Sequence, residues 1–286
     1  MLRLGCWLTG ALPLPLQLLL ADCAGELGWR LLPAMHQRVR ENARHVLGQA
    51  ATRREVEQLA RTWWRNYLRY LREFVAIPNL RPADLDALAQ NVEGWNCAEE
   101  ALARGKGAVI VSAHFGNWDL AAAVGARVCT VHALADSFSS PRLDRLVNSF
   151  RSALGVQVIP IERPLKRTLS ALKRGEAVAF LVDKPVAHDG VVVQFFDSPV
   201  QVPGGAAFFA LRTGAPILPA FVWREPSGMF RGKVLPAILP TNSGQPEHDL
   251  QRAMQQVMAA IEDMVRARPE HWYMFRRMWQ PRTVAA

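Results

Sequence analysis

The stretch Ala108-Val109-Ile110-Val111-Ser112-Ala113 constrains the fold of this 286-residue chain more than any other feature. No polar residue alternates with its apolar ones, which is the pattern of a strand covered on both faces, as in a parallel sheet. Comparable runs recur at Val128–Leu134, Val156–Ile161, Ala177–Asp183, Val191–Phe196 and Ile217–Trp223. Between several of them, residues 117–126, 141–153, 165–174 and 203–212 read as helices. Residues 247–267 predict a further helix, opened by Pro246 and closed before Pro269. This alternation predicts an α/β fold with a mixed, largely parallel central sheet flanked by helices. Half the residues are hydrophobic, so a large core is available and disordered or collagen-like classes are excluded.

The N-terminal part has a different texture. Residues 34–47 and 53–75 predict helices, and the second is strongly two-sided. At about 100° per residue, Val56, Leu59, Ala60, Trp63, Tyr67, Tyr70, Leu71 and Phe74 share one face. Arg54, Arg61, Arg65, Arg69 and Arg72 fall opposite, within roughly 80° of one another. A basic stripe behind an aromatic face suits a helix beside anionic lipid, with Arg61, Arg65 and Arg69 as membrane contacts. It suits equally a helix packed on a core with solvated arginines. From Leu4 to Ala21 there is no charge, but Pro13, Pro15 and Gln17 interrupt the run. An interfacial segment is therefore preferred to a bilayer span or a cleaved leader. Pro78 and Pro82 close this part, so the expected division is a helical membrane-associating extension at 1–80 and an α/β domain at 81–286.

The net charge of +9 comes from 34 Lys and Arg against 25 Asp and Glu, and only five of the cations are lysines. An arginine excess suits phosphate-bearing partners, and a GC-rich genome produces the same bias. The aromatics lie in helical patterns and no nucleic-acid motif is present, so no nucleic-acid partner is expected. The four cysteines are scattered and the histidines are isolated. That predicts no disulfide framework and no metal site, and it suits a reducing compartment.

The apolar run at 108–113 leads straight into His114-Phe115-Gly116-Asn117-Trp118-Asp119. Gly116 permits a tight turn and Asn117 is a good N-cap, so His114 ends a strand while Asp119 opens a helix near the positive end of its dipole. The two can converge there, Asp119 fixing the imidazole tautomer and His114 acting as general base toward a hydroxyl. The same residues are also compatible with a buried structural histidine and an ordinary helix-start acid. Ser112 as the nucleophile of a hydrolase lacks the Gly-x-Ser-x-Gly elbow. Asp183, ending another strand at the same edge, either orients an acceptor or caps the strand. Gly204 and Gly205 open a helix, where their N–H groups could take a phosphate or simply allow close packing.

The block at 114–119 resembles the hallmark of the bacterial lipid A biosynthesis acyltransferase family, which includes late lauroyl/myristoyl transferases and phosphatidylinositol mannoside acyltransferases. The resemblance extends to Leu172-Lys173-Arg174-Gly175-Glu176 leading to Asp183, and to Val193-Gln194-Phe195-Phe196 before Pro203-Gly204-Gly205. It continues through Ala210-Leu211-Arg212-Thr213-Gly214-Ala215 and Pro269-Glu270-His271-Trp272 to Arg276-Arg277. It implies a glycerolipid-acyltransferase-like fold and a membrane-associated O-acyltransferase working on the cytoplasmic face of the plasma membrane. An acyl-CoA or acyl-carrier-protein thioester would serve as co-substrate, a glycolipid or phospholipid as acceptor, and no further cofactor is implied. The resemblance also implies a functional arginine some thirty residues past Asp119. Arg151 fits best, with Arg142 and Arg145 as neighbours that could hold phosphate or form a solvated face. Asp119, where many lipid A enzymes carry Glu, and Lys184-Pro185 after Asp183 point away from the lipid A branch itself. A lipid-surface hydrolase using the same pair on water, and a non-enzymatic basic lipid-binding protein, are the alternatives.

Overall fold

Prolines and caps set the boundaries of the N-terminal helices. The structure, a computed structural model, describes residues 9–279. Helix α1 (Leu14–Leu31) begins after Pro13, and α2 (Pro33–Leu47) has proline at its first position, where a missing N–H costs nothing. Helix α3 (Arg53–Ala76) opens with a capping box: Glu55 N donates to Thr52 Oγ1 at 3.2 Å, and Thr52 N donates to the Glu55 carboxylate at 2.7 Å. Of the uncharged segment 4–21, residues 4–8 lie outside the described residues and Leu14–Ala21 is the first half of α1. No helix among the described residues is long and apolar enough to cross a membrane.

After α4 (Pro82–Gln90), β1 (Val92–Glu93) and α5 (Trp95–Ala103), the alternating part begins with β2 (Ala108–Ser112) and α6 (Trp118–Gly125). It continues through β3 (Val131–Ala135), α7 (Pro141–Ala153), β4 (Val156–Pro160), α8 (Pro164–Lys173) and β5 (Ala177–Leu181). The hairpin β6 (Gly190–Phe195) and β7 (Ser198–Pro203) precedes α9 (Gly205–Thr213), β8 (Ile217–Arg224), β9 (Phe230–Val234) and α10 (Pro246–Ala267). Seven strands form the central sheet in the order β1-β9-β8-β2-β5-β3-β4. β8, β2, β5, β3 and β4 run parallel, and β9 pairs antiparallel to β8. The predicted mixed, largely parallel sheet is the one observed. The strand expected at Val191–Phe196 exists but belongs to the separate hairpin, whereas β1, β7, β9, α4 and α5 had no expectation attached to them.

β2 is the hub of the sheet, flanked by β8 and β5. Val109, Val111 and Ala113 pack into a core shared with α2, α3, α9 and α10. On the other side Ala108 and Ile110 meet α6 and α7. Both faces are covered, which is why the run lacks polar alternation. The N-terminal helices share this core: Val56, Leu59, Ala60 and Trp63 of α3 belong to the same apolar cluster as β2.

Candidate active site

His114 leaves the C-terminal end of β2, at the sheet edge where open α/β folds bind ligands. The chain then turns sharply at Gly116, whose φ is +56° and where a Cβ would lie 2.1 Å from the Val222 carbonyl oxygen. Only glycine fits there. The turn is tied down from two sides: Gly116 N donates to His271 O and Asn117 N to Val222 O, each at 2.8 Å. Asn117 caps α6 as its sequence position suggests, its Oδ1 accepting from Leu120 N at 3.0 Å.

The carboxylate against the His114 ring is that of Asp183. Its Oδ1 lies 2.8 Å from His114 Nδ1, and its Oδ2 accepts from His114 N at 2.9 Å and Trp272 Nε1 at 2.8 Å. The parallel register explains the meeting. Ser112 pairs with Leu181, so residues two further along each strand, His114 and Asp183, come side by side beyond the sheet edge. Asp183 is fully buried, whereas the His114 side chain is 32% exposed. Burial alone would raise the Asp183 carboxyl, but the His114 charge and the hydrogen bonds outweigh it and hold the group below its usual value. An ionised Asp183 accepts only, so Nδ1 carries the proton and Nε2 is left as the basic atom.

Asp119 sits in the first turn of α6, as expected, but contacts other groups. Tyr70 Oη donates to its Oδ2 at 2.7 Å and Arg151 Nε to its Oδ1 at 3.0 Å. Burial, with the Asp119 charge second, pushes the Tyr70 hydroxyl well above the usual range, so it stays a donor. The convergence expected of His114 and Asp119 is thus replaced by two neighbouring pairs, His114–Asp183 and Arg151–Asp119. The turn at Gly116 sends the strand-end histidine toward β5, and α6 directs Asp119 toward α3 and α7. Trp118 bridges the pairs, its ring 5.3 Å from His114 and 4.0 Å from Tyr70.

Beneath the loop, Glu73 of α3 accepts from Asn117 Nδ2 at 2.7 Å and from Arg224 Nε at 2.6 Å. Sequence reasoning missed this buried group, because a lone glutamate on the apolar side of a basic helix carries no motif. Lys184 and Arg276 were likewise outside the expected set, yet both cations act on His114 electrostatically, Lys184 while bonded to Asp136 at 2.6 Å. Arg142 and Arg145 are exposed on α7. Gly204 is the N-cap of α9, and a Cβ there would lie 2.8 Å from Val191, so it serves close packing, whereas Gly205 has ordinary space.

The arginine side of α3 does not face solvent freely. Arg69 Nε donates to Asp22 of α1 at 2.6 Å, and the Arg65 backbone lies beneath Gly25 of the same helix. Arg61 is 47% exposed but pairs with Glu57 at 2.9 Å and lies 3.7 Å from Glu26. The three arginines expected to touch membrane are therefore drawn onto α1.

Residues 3–281 match the family described as bacterial lipid A biosynthesis acyltransferase. The chain belongs to this family. Among relatives of the family member, the phosphatidylinositol mannoside acyltransferase of Mycobacterium tuberculosis strain H37Rv is 31% identical, over 75% of this chain and 68% of that protein. The one of Mycolicibacterium smegmatis is 27% identical over 95% of each. A solved structure, the 1-acyl-sn-glycerophosphate (LPA) acyltransferase PlsC from Thermotoga maritima, aligns with a TM-score of 0.39 at 16% identity, over 84% of this chain and 97% of that one. As a member of this family the protein is an acyltransferase.

The dyad makes a kinetic prediction. Burial lowers the His114 pKa, but the Asp183 charge and hydrogen bond raise it more, leaving it above the ordinary 6.5. A general base must be unprotonated, so kcat/KM should rise with pH along a limb centred above that value. Asp183→Asn removes the raising charge, and the limb should move to lower pH. Initial rates from pH 5 to 9 on wild type and variant check the sign.

Proposed function

We propose that the enzyme transfers a fatty acyl chain from a coenzyme A or acyl-carrier-protein thioester to a hydroxyl of a membrane glycolipid or phospholipid. The observation that carries the reading is a half-open imidazole whose Nδ1 is held by a fully buried carboxylate at the ligand edge of the sheet. His114 Nε2 takes the proton of the acceptor hydroxyl as its oxygen attacks the thioester carbonyl; the C–S bond then breaks, and the thiolate leaves with that proton. Arg151, fixed by Asp119, is the favoured group for the negative charge developing on the carbonyl oxygen. The mannoside acyltransferases among its relatives favour a phosphoinositol-type glycolipid as acceptor. Both donors are cytosolic compounds, which puts the reaction at the cytoplasmic face of the membrane. A hydrolase built on Ser112 finds no support: its Oγ is buried and makes no hydrogen bond, so His114 does not activate it.

An apolar cavity of about 550 Å³ suits the acyl chain. It lies between the sheet and α6, reaching from Ala121 and Val222 beside the catalytic turn down to Cys129 and Ala108 at the far edge. Narrowing it tests the assignment. Ala121→Phe should exclude several methylenes, and at about 0.8 kcal/mol each, four cost roughly two orders of magnitude in kcat/KM for palmitoyl thioester. Butyryl thioester should be turned over nearly as by wild type. A uniform loss at both chain lengths would place the acyl chain elsewhere.

The reaction itself is tested by mass spectrometry. Wild type and His114→Ala are given palmitoyl-coenzyme A or palmitoyl acyl carrier protein with phosphatidylinositol mannosides or other glycolipids in vesicles. An O-acylated lipid formed by wild type alone supports the proposal. Thioester consumed with only free fatty acid formed, whatever the acceptor, would replace it with hydrolysis.

A further inference from the structure

Helix α1 is built inside out. The face it turns to the protein carries Gln17, Ala21, Gly25 and Trp29. It packs so closely that a Cβ on Gly25 would lie 3.0 Å from Arg65 Cα, and one on Gly28 would lie 2.6 Å from Trp64 Nε1. Its polar groups serve this contact: Asp22 receives Arg69, Gln17 Oε1 accepts from Arg72 Nε at 2.6 Å, and Glu26 faces Arg61. The opposite side bears Leu16, Leu19, Leu20, Leu27 and Leu31, each between 40 and 67% exposed. At 100° per residue the five fall within an arc of roughly 120°, centred opposite the buried face.

Scattered exposed leucines need no explanation, but an aligned stripe does. A helix packed on a protein in water turns its apolar side inward and its charges outward. α1 does the reverse, which is stable only where its outer medium is itself apolar. We propose that the leucine face of α1 docks the protein on a single leaflet of a lipid bilayer, lying in its plane and inserting shallowly. The charges fit this occupant. The acidic residues of α1 are Asp22 and Glu26, both directed to α3 arginines, which leaves Arg30 as its exposed charge, facing anionic headgroups. The arginine stripe of α3 thus acts as the clamp that holds the lipid-facing helix, one layer removed from the membrane.

The clamp also ties the docking face to the catalytic turn. Along α3, Arg69 holds α1 while the next residue, Tyr70, holds Asp119; Arg72 holds α1 while the next, Glu73, holds Asn117. One helix thickness therefore fixes how the His114 edge is presented to the leaflet. The proposal deepens the functional reading above by naming the surface that meets the acceptor's membrane, but its test needs no turnover.

The full chain and the triple variant Leu20→Gln/Leu27→Gln/Leu31→Gln are sedimented with vesicles of phosphatidylcholine alone and of phosphatidylcholine mixed with phosphatidylglycerol. The replaced side chains are exposed, so the melting temperature should stay unchanged. The expected result is a roughly hundredfold weaker partition into both vesicles, while Arg61→Gln binds the neutral ones as wild type. A second readout uses the exposed thiol of Cys23, which lies within the leucine arc. With Cys6, Cys97 and Cys129 changed to Ser, a polarity-sensitive dye on Cys23 should shift to the blue on vesicles and be quenched by brominated lipid. Undiminished binding of the triple variant, a dye that stays in water, or loss of self-association by light scattering with unchanged vesicle binding would each overturn the proposal. Because partition and dye readouts involve no acyl transfer, a failure of the functional reading leaves them standing, and the reverse holds too.

Discussion

Asp183→Asn is expected to lower kcat for acyl transfer by two to four orders of magnitude, close to the effect of His114→Ala. Asp119→Asn should act chiefly through stability. The asparagine amide at 183 can donate to Nδ1, which moves the imidazole proton to Nε2 and removes the base that the acceptor hydroxyl needs. A tautomer-fixing carboxylate elsewhere contributes about 10⁴ when lost in this way, and general bases typically 10² to 10⁴. Asp119, by contrast, touches Tyr70 and Arg151 and makes no bond to the His114 ring. Its loss leaves the Arg151 side chain, 15% exposed, without its carboxylate. That should cost a few kcal/mol and lower the melting temperature while the acid limb of the pH profile stays in place. Measured kcat, pH profile and melting temperature for both variants separate the roles. An acid limb that moves in Asp119→Asn and stays in Asp183→Asn would restore the pairing suggested by the spacing of residues 114 and 119.

That contrast marks where the sequence is legible and where it stops. The apolar run at 108–113 announces a doubly covered strand because burial on both faces leaves no other composition, and β2 is that strand. Thr52 and Glu55 mark the start of α3 because two cap groups satisfy each other locally. Gly116 and Asn117 predict the turn and cap for the same reason. Asp183 stood at the right edge of the sheet, but its partner depended on which strands are neighbours. Strand order is a tertiary fact: β5 lies beside β2 although 64 residues separate their first positions. The arginine stripe shows a related limit. Periodicity gives the side of the helix on which charges lie, not what covers that side, and the cover here is α1, whose uncharged sequence points to lipid more readily than to arginine. β1 and α5 were missed because two-residue strands and one-sided nine-residue helices lack enough period to stand out.

Arg224→Met should destabilise the fold by about 3–5 kcal/mol, because it leaves a carboxylate buried without its cation. For a chain of this size that is on the order of 10 °C in melting temperature. Glu73 is 7% exposed and already titrates above the ordinary carboxyl range: burial raises it most, with Arg224 and Asn117 pulling it partly back. Without Arg224 its folded-state pKa rises further above the unfolded value. The glutamate's contribution is then fully present below the unfolded pKa and lost as pH rises through the folded one, so the variant should be weaker at pH 8 than at pH 5. Removing both charges tests whether the cluster exists for stability or for position. Glu73→Leu/Arg224→Met should recover most of the lost stability, since apolar replacement of a whole buried pair is commonly close to neutral. Yet Asn117 Nδ2 would lose its acceptor, and the turn carrying His114 would lose its tie to α3. The double variant should therefore melt near wild type and still transfer acyl chains at least about tenfold more slowly, with kcat rather than KM carrying the loss. Recovery of both melting temperature and kcat would show that the turn is set by Gly116, His271 and Val222 alone, with Glu73 filling space beneath it.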